Sequence, residues 1–304
     1  MTAPDSTRVP PLARAGLDRA AAERGIGDVV AAARADAGTR VLVVCGDAAP
    51  LENATELRWI APAAVPEGGE WAFLGRDGEG AAALTAVFPA QDEDLFPAPA
   101  GWAGLRSVGG VLGDVDAGSF VEALSLGRWL LDARFCPACG ALTMLADAGW
   151  SRRCPSCGRQ HFPRTDPAVI VAITSAQDPD LLLLGSNALW GTDRYSCFAG
   201  FVEAGESLEA AVRREVEEES GIEVGAVAYR GSQAWPYPRS LMLGFLAAAV
   251  DDDAARADGD EIASVRWFTR SEIGSALAGG GDVRLPGRAS IAHRLIADWY
   301  AETV

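Results

Sequence analysis

The stretch from residue 200 to residue 222, GFVEAGESLEAAVRREVEEESGI, holds the carboxylates best suited to chemistry. On a helix, Glu215, Glu218 and Glu219 lie three or four positions apart and cluster beside one another. Neighbouring carboxylates repel unless a cation lies among them, and oxygen ligands of this kind suit Mg²⁺ or Mn²⁺. Such ions bind phosphate groups and activate water for attack. The alternative is a solvated helix face, which a run of glutamates by itself favours.

Four of the six cysteines form two matched Cys-x-x-Cys-Gly turns, CPACG and CPSCG. Each turn lets two thiolates converge on one ion, and four thiolates make a closed tetrahedral zinc shell. Because a closed shell has no open position for water, the predicted zinc is structural. Redox dithiols or incidental cysteines are the alternative, but two matched pairs at this spacing favour zinc. The predicted ligands are Cys136, Cys139, Cys154 and Cys157.

Arginine supplies every basic side chain: Lys and Arg together number 26, with no Lys among them, against 42 Asp and Glu in 304 residues. A chain without lysine contains neither a Walker-A phosphate loop nor a Schiff-base lysine. The net charge of −16 argues against general binding to nucleic-acid backbones as the main role. Because no apolar run could span a membrane and no apolar leader opens the chain, we expect a cytoplasmic protein with no membrane partner.

The elements that must position these groups fall into three predicted parts: an α+β domain over 1–130, a zinc ribbon over 131–164 and a C-terminal domain over 165–304. The first has strand-like runs at 40–46, 71–75 and 82–88 and a helical pattern over 120–131. In the last, a helix from Ser207 to Ser220 ends at Gly221, and a final helix begins near Arg288. Its strand-like runs cover 166–174, 181–185, 240–250 and 264–268. This pattern predicts an α/β fold with a mixed sheet flanked by helices.

Residues Gly200, Glu206 and 214–222 resemble the complete signature of the Nudix hydrolase family, because every fixed position of the Nudix box matches. The resemblance implies that residues 165–304 form an α/β/α sandwich that hydrolyses a nucleoside diphosphate linked to another group. It also implies that Arg214 orients the acidic residues by ion pairing and that Glu215, Glu218 and Glu219 bind the catalytic metals. Glu218 is our candidate for the general base, an assignment that the sequence leaves open.

The segment SQAWPYPRSLM after the box resembles the signature of one Nudix subfamily, the NADH pyrophosphatases or NAD-capped RNA hydrolases. It departs from that signature at Ala234, where the subfamily has proline, and at Tyr237, where it has phenylalanine. A four-cysteine zinc element also precedes the Nudix domain in that subfamily. Without the Nudix box, a rigid turn at a domain interface would explain the proline-rich segment equally well.

Further site residues follow from the subfamily pattern. Glu261 matches another metal-binding glutamate, although Ser264 stands where relatives often carry an additional acid, and Gly149 replaces an acidic substrate contact. Phe162 and Phe201 match aromatic residues that enclose the adenine, one from each subunit of a dimer. Arg106 is either a further substrate-binding residue or simply a surface arginine. The other substrate-binding positions implied are Ala199, Gln233, Ala234, Trp235, Pro236, Tyr237, Pro238, Arg239, Ser240 and Ala292.

The resemblance implies hydrolysis of the pyrophosphate of NAD(H) to NMN(H) and AMP, with Mg²⁺ or Mn²⁺ at the site and structural Zn²⁺ in the ribbon. The same chemistry would remove an NAD cap from an RNA 5′ end, guided by arginines near the ribbon. These are Arg152, Arg153, Arg159 and Arg164, for which a solvated surface is the simpler explanation. A homodimer is implied as well. The alternatives are another nucleotide conjugate such as ADP-ribose, or a non-catalytic Nudix protein that senses a ligand.

Overall fold

The computed structural model describes residues 9–91, 94–191 and 193–302. Its internal contacts divide the chain into two compact units. The N-terminal unit contains residues 14–165 together with 236–239. The C-terminal unit contains, among the described residues, 166–235 and 240–302 together with 9–13. No helix in the described ranges is long and apolar enough to cross a membrane.

The N-terminal unit is built on a six-stranded sheet with the order β3-β2-β1-β5-β4, in which β6 also pairs with β2. Strands β1 and β5 are parallel and buried at their centres, and they form the core with β4 and helix α3. The elements are α1 Val29–Ala35, β1 Arg40–Cys45, β2 Ala48–Asn53, β3 Glu56–Leu57, β4 Glu70–Arg76, β5 Ala82–Phe88, β6 Trp102–Gly104, α2 Leu105–Val108 and α3 Asp114–Asp132. The predicted α+β composition of this part is confirmed.

Helix α3 buries a carboxyl group in this unit. Glu122 is 6% exposed and lies 3.7 Å from the guanidinium of Arg19. Among the described residues, its Oε1 has no hydrogen-bond partner. Burial raises the pKa of Glu122 to about 7, against the opposing attraction of Arg19 and Arg24. The folded protein therefore retains the neutral carboxyl to a higher pH than the unfolded chain does.

The zinc ribbon follows α3 as a small antiparallel sheet with the order β7-β8-β9. Its strands are β7 Met144–Ala146, β8 Ser151–Arg153 and β9 Gln160–His161. The two cysteine turns flank β7 and β8, so that the first turn precedes this pair and the second lies between β8 and β9.

The C-terminal unit contains a mixed sheet with the order β13-β14-β10-β11-β15, and β12 also pairs with β10. Only β10 and β14 are parallel among the pairs of this sheet in the described residues. Its elements are β10 Asp166–Thr174, β11 Leu181–Asn187, β12 Phe198–Phe201, α4 Leu208–Ser220, β13 Val224–Trp235, β14 Ser240–Ala249, β15 Ile262–Thr269, α5 Arg270–Leu277 and α6 Ile291–Ala301.

Strand β10 shows why this unit is a three-layer sandwich. Val169, Val171 and Ile173 pack in the cluster that contains helix α4. The intervening Ile170 and Ala172 pack in the cluster that contains α5 and α6. Because side chains alternate between the faces of a strand, both faces of β10 are covered by helices. The predicted α/β/α arrangement is confirmed.

Three elements of this unit were not predicted: the short strand β12, strand β13 and helix α5. Strand β13 escaped prediction because most of its side chains are exposed or half-buried, so it lacks an apolar run. Helix α5 is short and contains Gly274, although Thr269 and Glu272 form a capping box at its start.

Candidate active site

Helix α4, which carries the glutamates of the box, begins and ends where its local sequence predicts. The Oγ of Ser207 accepts a hydrogen bond from the backbone N–H of Ala210. Gly221 closes the helix in the left-handed conformation with φ 67°, a geometry that glycine adopts at little cost. Val212 and Val216 are fully buried, as the predicted apolar stripe requires. The acidic positions are thereby held against the sheet.

Arg214 joins the carboxylates of the box. Its Nε and Nη2 each donate to one oxygen of Glu206 at 2.9 Å, a bidentate pair. Its Nη1 donates to Glu215 at 2.9 Å and to Glu218 at 3.1 Å, while Nη2 also donates to the carbonyl oxygen of Phe201 at 2.9 Å. The hydrogen bonds that Arg214 donates to Glu206 lower the pKa of Glu206 and raise the pKa of Arg214. The geometry therefore contains the ion pairing that the resemblance implies.

Gly200 of strand β12 lies against the Glu215 carboxyl group. A Cβ at position 200 would overlap the carboxyl carbon and both oxygens of Glu215. This approach explains why the box requires a glycine here: a larger side chain would displace the carboxylate.

Glu219 is the most buried acidic residue of the box, at 5% exposure. Its Oε2 accepts a hydrogen bond from the backbone N–H of Ala199 at 3.3 Å. Burial, and then the negative charge of Glu261, raise the pKa of Glu219 to about 8. Burial also raises the pKa of Glu215. A bound cation would favour the ionised form of both groups, so this donor set fits a divalent metal.

The carboxylates of this set are spread out around Arg214. Within the described ranges, no three of their oxygens approach one another as closely as the four ribbon thiols do. Mutual repulsion and the three ion pairs of Arg214 account for this spacing.

A cleft of about 380 Å³ opens at this end of the C-terminal unit. It is lined by Ala168, Ala199, Gly200, Phe201, Glu203, Arg214, Glu215, Ser240, Met242 and Glu261. Glu261 is held at its edge because Asp258 accepts a hydrogen bond from its backbone N–H at 3.1 Å. The cleft thus brings the predicted Glu261 together with the box. Ser264, which stands in the place of an acid, is hydrogen bonded to the hydroxyl of Tyr195 at 3.1 Å.

The predicted substrate residues of the C-terminal unit differ in their accessibility. Ala199, Phe201 and Ser240 line the cleft, and Phe201 is 54% exposed. Gln233 is buried, and its side chain accepts from the N–H of Leu12 and donates to a backbone carbonyl. Ala292 is the second residue of helix α6 and is buried in the core cluster that this helix shares with β10 and β11. Ala234 and Trp235 lie in β13, paired with Leu241 and Ser240.

The remaining predicted substrate residues lie in the N-terminal unit. The guanidinium of Arg106 lies 3.9 Å from the ring centre of Tyr237, and that of Arg128 lies 5.2 Å away. Burial raises the pKa of the Tyr237 hydroxyl. A second cavity of about 360 Å³ contains Phe162, Pro238 and Arg239 in its lining. Pro236 belongs to the same segment.

Two residues near the ribbon, Gly149 and Arg152, bear on the predicted contacts with substrate and RNA. Gly149 has φ +92°, and a Cβ there would approach that of Ala72 to 2.6 Å, so no acidic side chain fits at this position. Arg152 is buried and donates to the carbonyl oxygen of Leu130, so it cannot belong to a surface strip. The other three arginines of the predicted strip, Arg153, Arg159 and Arg164, are exposed.

The ribbon thiols form the tight cluster that a zinc ion requires. All four sulfur atoms lie within 4.8 Å of one another. Gly140 and Gly158 close the two turns with φ angles of 75° and 74°. Hydrogen bonds led by that from the backbone N–H of Cys157 lower the pKa of Cys154 to about 7. The donors fit a tetrahedral zinc shell.

Comparison with known proteins agrees with this geometry. The NUDIX domain model matches residues 164–285, and the NADH pyrophosphatase zinc ribbon domain model matches residues 131–162. A Mycobacterium tuberculosis protein named NAD-capped RNA hydrolase NudC is 41% identical over 96% of this chain and 95% of its own. The chain belongs to the Nudix hydrolase family. This Nudix protein is therefore an enzyme, with a structural zinc site in its ribbon and Mg²⁺ or Mn²⁺ as catalytic metal.

Other similar proteins cover less of the chain. Human NAD-capped RNA hydrolase NUDT12 is 40% identical over 62% of this Nudix hydrolase and 42% of its own length. The solved structure of a Nudix hydrolase from Nitrosomonas europaea covers 56% of this chain and 91% of its own, with 24% identity and a TM-score of 0.41.

Three residues that line the cleft were not predicted from the sequence: Ala168, Glu203 and Met242. Ala168 faces Phe201 across the β10–β12 pair, and Met242 faces Ala168 across β10–β14. No local sequence pattern indicates either residue, because only the pairing register of the strands places them in the cleft. Glu203 lies within the Nudix box, and its position between Gly200 and Glu206 was the one signal that could have identified it.

Proposed function

We propose that this enzyme hydrolyses the pyrophosphate of NAD(H) to NMN(H) and AMP, and that it also removes NAD caps from RNA 5′ ends. The observation that carries the proposal is the 41% identity to an NAD-capped RNA hydrolase along almost the whole of both chains. That similarity extends over both cysteine turns, the Nudix box and the proline-rich segment. The carboxylates around the cleft supply what a diphosphate substrate needs: a site for cations that neutralise its charge.

In this proposal four acidic residues share the metal, and one of them also acts as the general base. Glu215, Glu218, Glu219 and Glu261 hold the metal, which when bound neutralises the diphosphate and lowers the pKa of water. Arg214 keeps Glu215 and Glu218 in place through its ion pairs. Water attacks one phosphorus, the bond from that phosphorus to the bridging oxygen breaks, and this oxygen leaves with the other phosphate. Glu218 takes the proton of the water, because it is the most exposed of the three box carboxylates.

The dinucleotide would be held mainly by its bases and ribose. Phe162 and Phe201 are exposed aromatic side chains, at 47% and 54%, and suited to stacking on adenine. We assign them to opposite faces of the adenine, one from each subunit of a homodimer. The other substrate residues implied by the proline-rich segment, together with Arg106 and Ala292, complete this assignment. Exposed Arg153, Arg159 and Arg164 are available to guide an RNA 5′ end.

The same proposal includes the division into an N-terminal domain over 1–130, a ribbon over 131–164 and a Nudix domain over 165–304. It also includes a cytoplasmic location. The six free cysteines support that location, because a thiolate zinc site persists where thiols remain reduced.

Product analysis tests the proposed reaction. The purified protein is incubated separately with NADH, NAD⁺ and ADP-ribose, with Mg²⁺ or Mn²⁺ and with EDTA as control, and the products are separated by chromatography. We expect metal-dependent formation of NMN(H) and AMP, fastest from a nicotinamide dinucleotide. Faster cleavage of ADP-ribose would replace the substrate, and cleavage of none would favour a ligand-sensing role.

A matched pair of variants tests the role of the box. Glu218→Gln should lower kcat by orders of magnitude and leave folding intact, since Glu218 is exposed. Glu217→Gln, a change at the neighbouring exposed position, should leave kcat unchanged. Equal activity of the two variants would contradict the assignment of Glu218.

A further inference from the structure

The loop between β11 and β12 leaves the sheet at the end where the catalytic cleft opens. Asn187, the last residue of β11, is paired with Ile262 at the start of β15. The next residue, Ala188, donates its backbone N–H to the carbonyl oxygen of Glu261 at 2.8 Å. Because Glu261 lines the cleft, the loop begins at the cleft rim.

Two large apolar side chains occupy the tip of this loop. The backbone N–H of Leu189 donates to the side chain of Asn187, and that of Trp190 donates to its carbonyl oxygen, both at 2.9 Å. Leu189 is 93% exposed and Trp190 36% exposed. One residue, Leu189, separates Trp190 from Ala188, so the Cα atoms of these two residues lie at most about 7 Å apart. The backbone of Trp190 is therefore close to the rim.

Residues 193–195, at the end of this loop, are fixed to the rest of their unit. Arg284 donates its backbone N–H to the carbonyl oxygen of Asp193 at 2.7 Å, and its own carbonyl oxygen accepts from the N–H of Tyr195 at 3.0 Å. The Asp193 carboxylate also binds the Arg284 guanidinium through two hydrogen bonds of 2.6 and 3.0 Å. Arg194 lies between these two anchored residues, so its backbone needs little further ordering to bind a ligand.

A cation lies over the ring. The guanidinium of Arg194 is 4.5 Å from the ring centre of Trp190. Across the described ranges, no carboxylate is in ion-pair contact with Arg194. In a chain of net charge −16, an exposed arginine stacked on an exposed indole at the rim of an acidic cleft requires an explanation.

We propose that Trp190 and Arg194 form a platform for the first nucleotides that follow the NAD cap of an RNA substrate. A base can stack on the indole or on the guanidinium plane, and Arg194 can contact a backbone phosphate. The platform rests on the proposed function, and it explains how a strongly acidic enzyme can retain an RNA. Free NAD(H) ends at the adenosine ribose and has no nucleotide to place there. The platform therefore favours capped RNA without changing hydrolysis of the free dinucleotide.

Steady-state kinetics on two substrates tests the platform. Trp190→Ala should lower kcat/KM for a short NAD-capped RNA by roughly tenfold, the usual effect of removing one stacked aromatic residue. Its kcat/KM for NADH should equal that of the wild type. Trp190→Phe should restore most of the RNA activity because it retains an aromatic face. Leu189→Ala, at the adjacent and more exposed position, is the matched control and should leave both substrates unaffected.

Several results would overturn the platform. Equal losses on NADH and capped RNA would make Trp190 a structural part of the cleft, and no loss on either would remove any role. A Trp190→Ala protein whose subunits separate on size-exclusion chromatography would identify the tip as a contact between two copies of the chain.

A binding measurement separates this inference from the proposed reaction. Fluorescence anisotropy with EDTA present measures the affinity for a labelled RNA that starts with a 5′-monophosphorylated adenosine, without hydrolysis. Weaker binding by Trp190→Ala and Arg194→Ala supports the platform even if the wild type fails to cleave NADH. Unchanged binding refutes the platform even if NADH is cleaved.

Discussion

Replacing Gly200 with alanine should inactivate the enzyme without unfolding it. The backbone of Gly200 does not adopt a positive φ that would exclude alanine. The added methyl group would overlap the carboxylate of Glu215, which lies at the far end of a flexible side chain. To reach ordinary van der Waals distance, that carboxylate must withdraw by roughly 1.5 Å. The strain is therefore relieved by moving a proposed metal ligand, not by moving the backbone.

The size of the effect follows from this displacement. Misplacing a reacting or positioning group by about 1 Å can cost about a hundredfold in rate. We therefore expect kcat to fall about a hundredfold, which corresponds to about 3 kcal/mol of activation free energy. Stability should fall by less than about 1 kcal/mol, because the contact at risk is the half-buried ion pair between Glu215 and Arg214.

The assay is NADH hydrolysis at increasing Mg²⁺, combined with urea denaturation of the same protein. Gly225→Ala is the control, because Gly225 lies in the same unit and a Cβ there meets no atom. If Gly200→Ala proves as active as Gly225→Ala, the reasoning from the close approach is wrong. If it loses activity only by unfolding, the strain lies in the backbone.

Three further substitutions test, one at a time, the zinc site, the buried Glu122 carboxyl group and the ion pairs of Arg214. Cys154→Ser should remove about one zinc per chain and lower the free energy of unfolding by several kcal/mol, as expected when a structural zinc shell is lost. Metal analysis and thermal melts measure the two effects, and Cys45→Ser is the control. Glu122→Gln should stabilise the protein by about 3 kcal/mol at pH 8 and far less at pH 5 in urea denaturation. The folded protein retains the Glu122 proton that the unfolded chain loses between pH 4.5 and about 7, so the wild type loses stability as pH rises through this range. Arg214→Lys keeps the charge but not the bidentate pair, so kcat for NADH should fall roughly tenfold or more while the melting temperature changes little. Equal kcat values for Lys and Arg at this position would mean that charge alone orients the box.

Features with local signals were predictable from the sequence. Helix α4 is predicted within one residue, because its serine cap, apolar stripe and terminal glycine all lie within one short segment. The zinc ligands are predictable for the same reason: each turn carries its own spacing. Glu261 was predicted as a site residue only from the resemblance to the subfamily. The sheet places it beside the box, and no local sequence pattern indicates that position.

Features that depend on tertiary contacts were not predictable. Helix α3 begins at Asp114, before the predicted 120, because Gly118 obscures its first turns. That glycine is required by packing: a Cβ there would lie 2.6 Å from the carbonyl oxygen of Arg14. The burial of Glu122 and Glu219 and the position of Ala168 in the cleft likewise result from how strands and helices assemble.

The ion pairs of Arg214 allow the enzyme to fold without the divalent cation that its activity requires. Because this arginine already neutralises much of the charge on Glu206, Glu215 and Glu218, the catalytic unit can fold before any divalent ion arrives. The four ribbon thiols, in contrast, lie within 4.8 Å of one another and depend on zinc for their stability as thiolates. Zinc is therefore a requirement of the fold, whereas Mg²⁺ or Mn²⁺ is a requirement of turnover alone. The rate of turnover can therefore change with the free concentration of Mg²⁺ or Mn²⁺ in the cell while the stability of the fold does not.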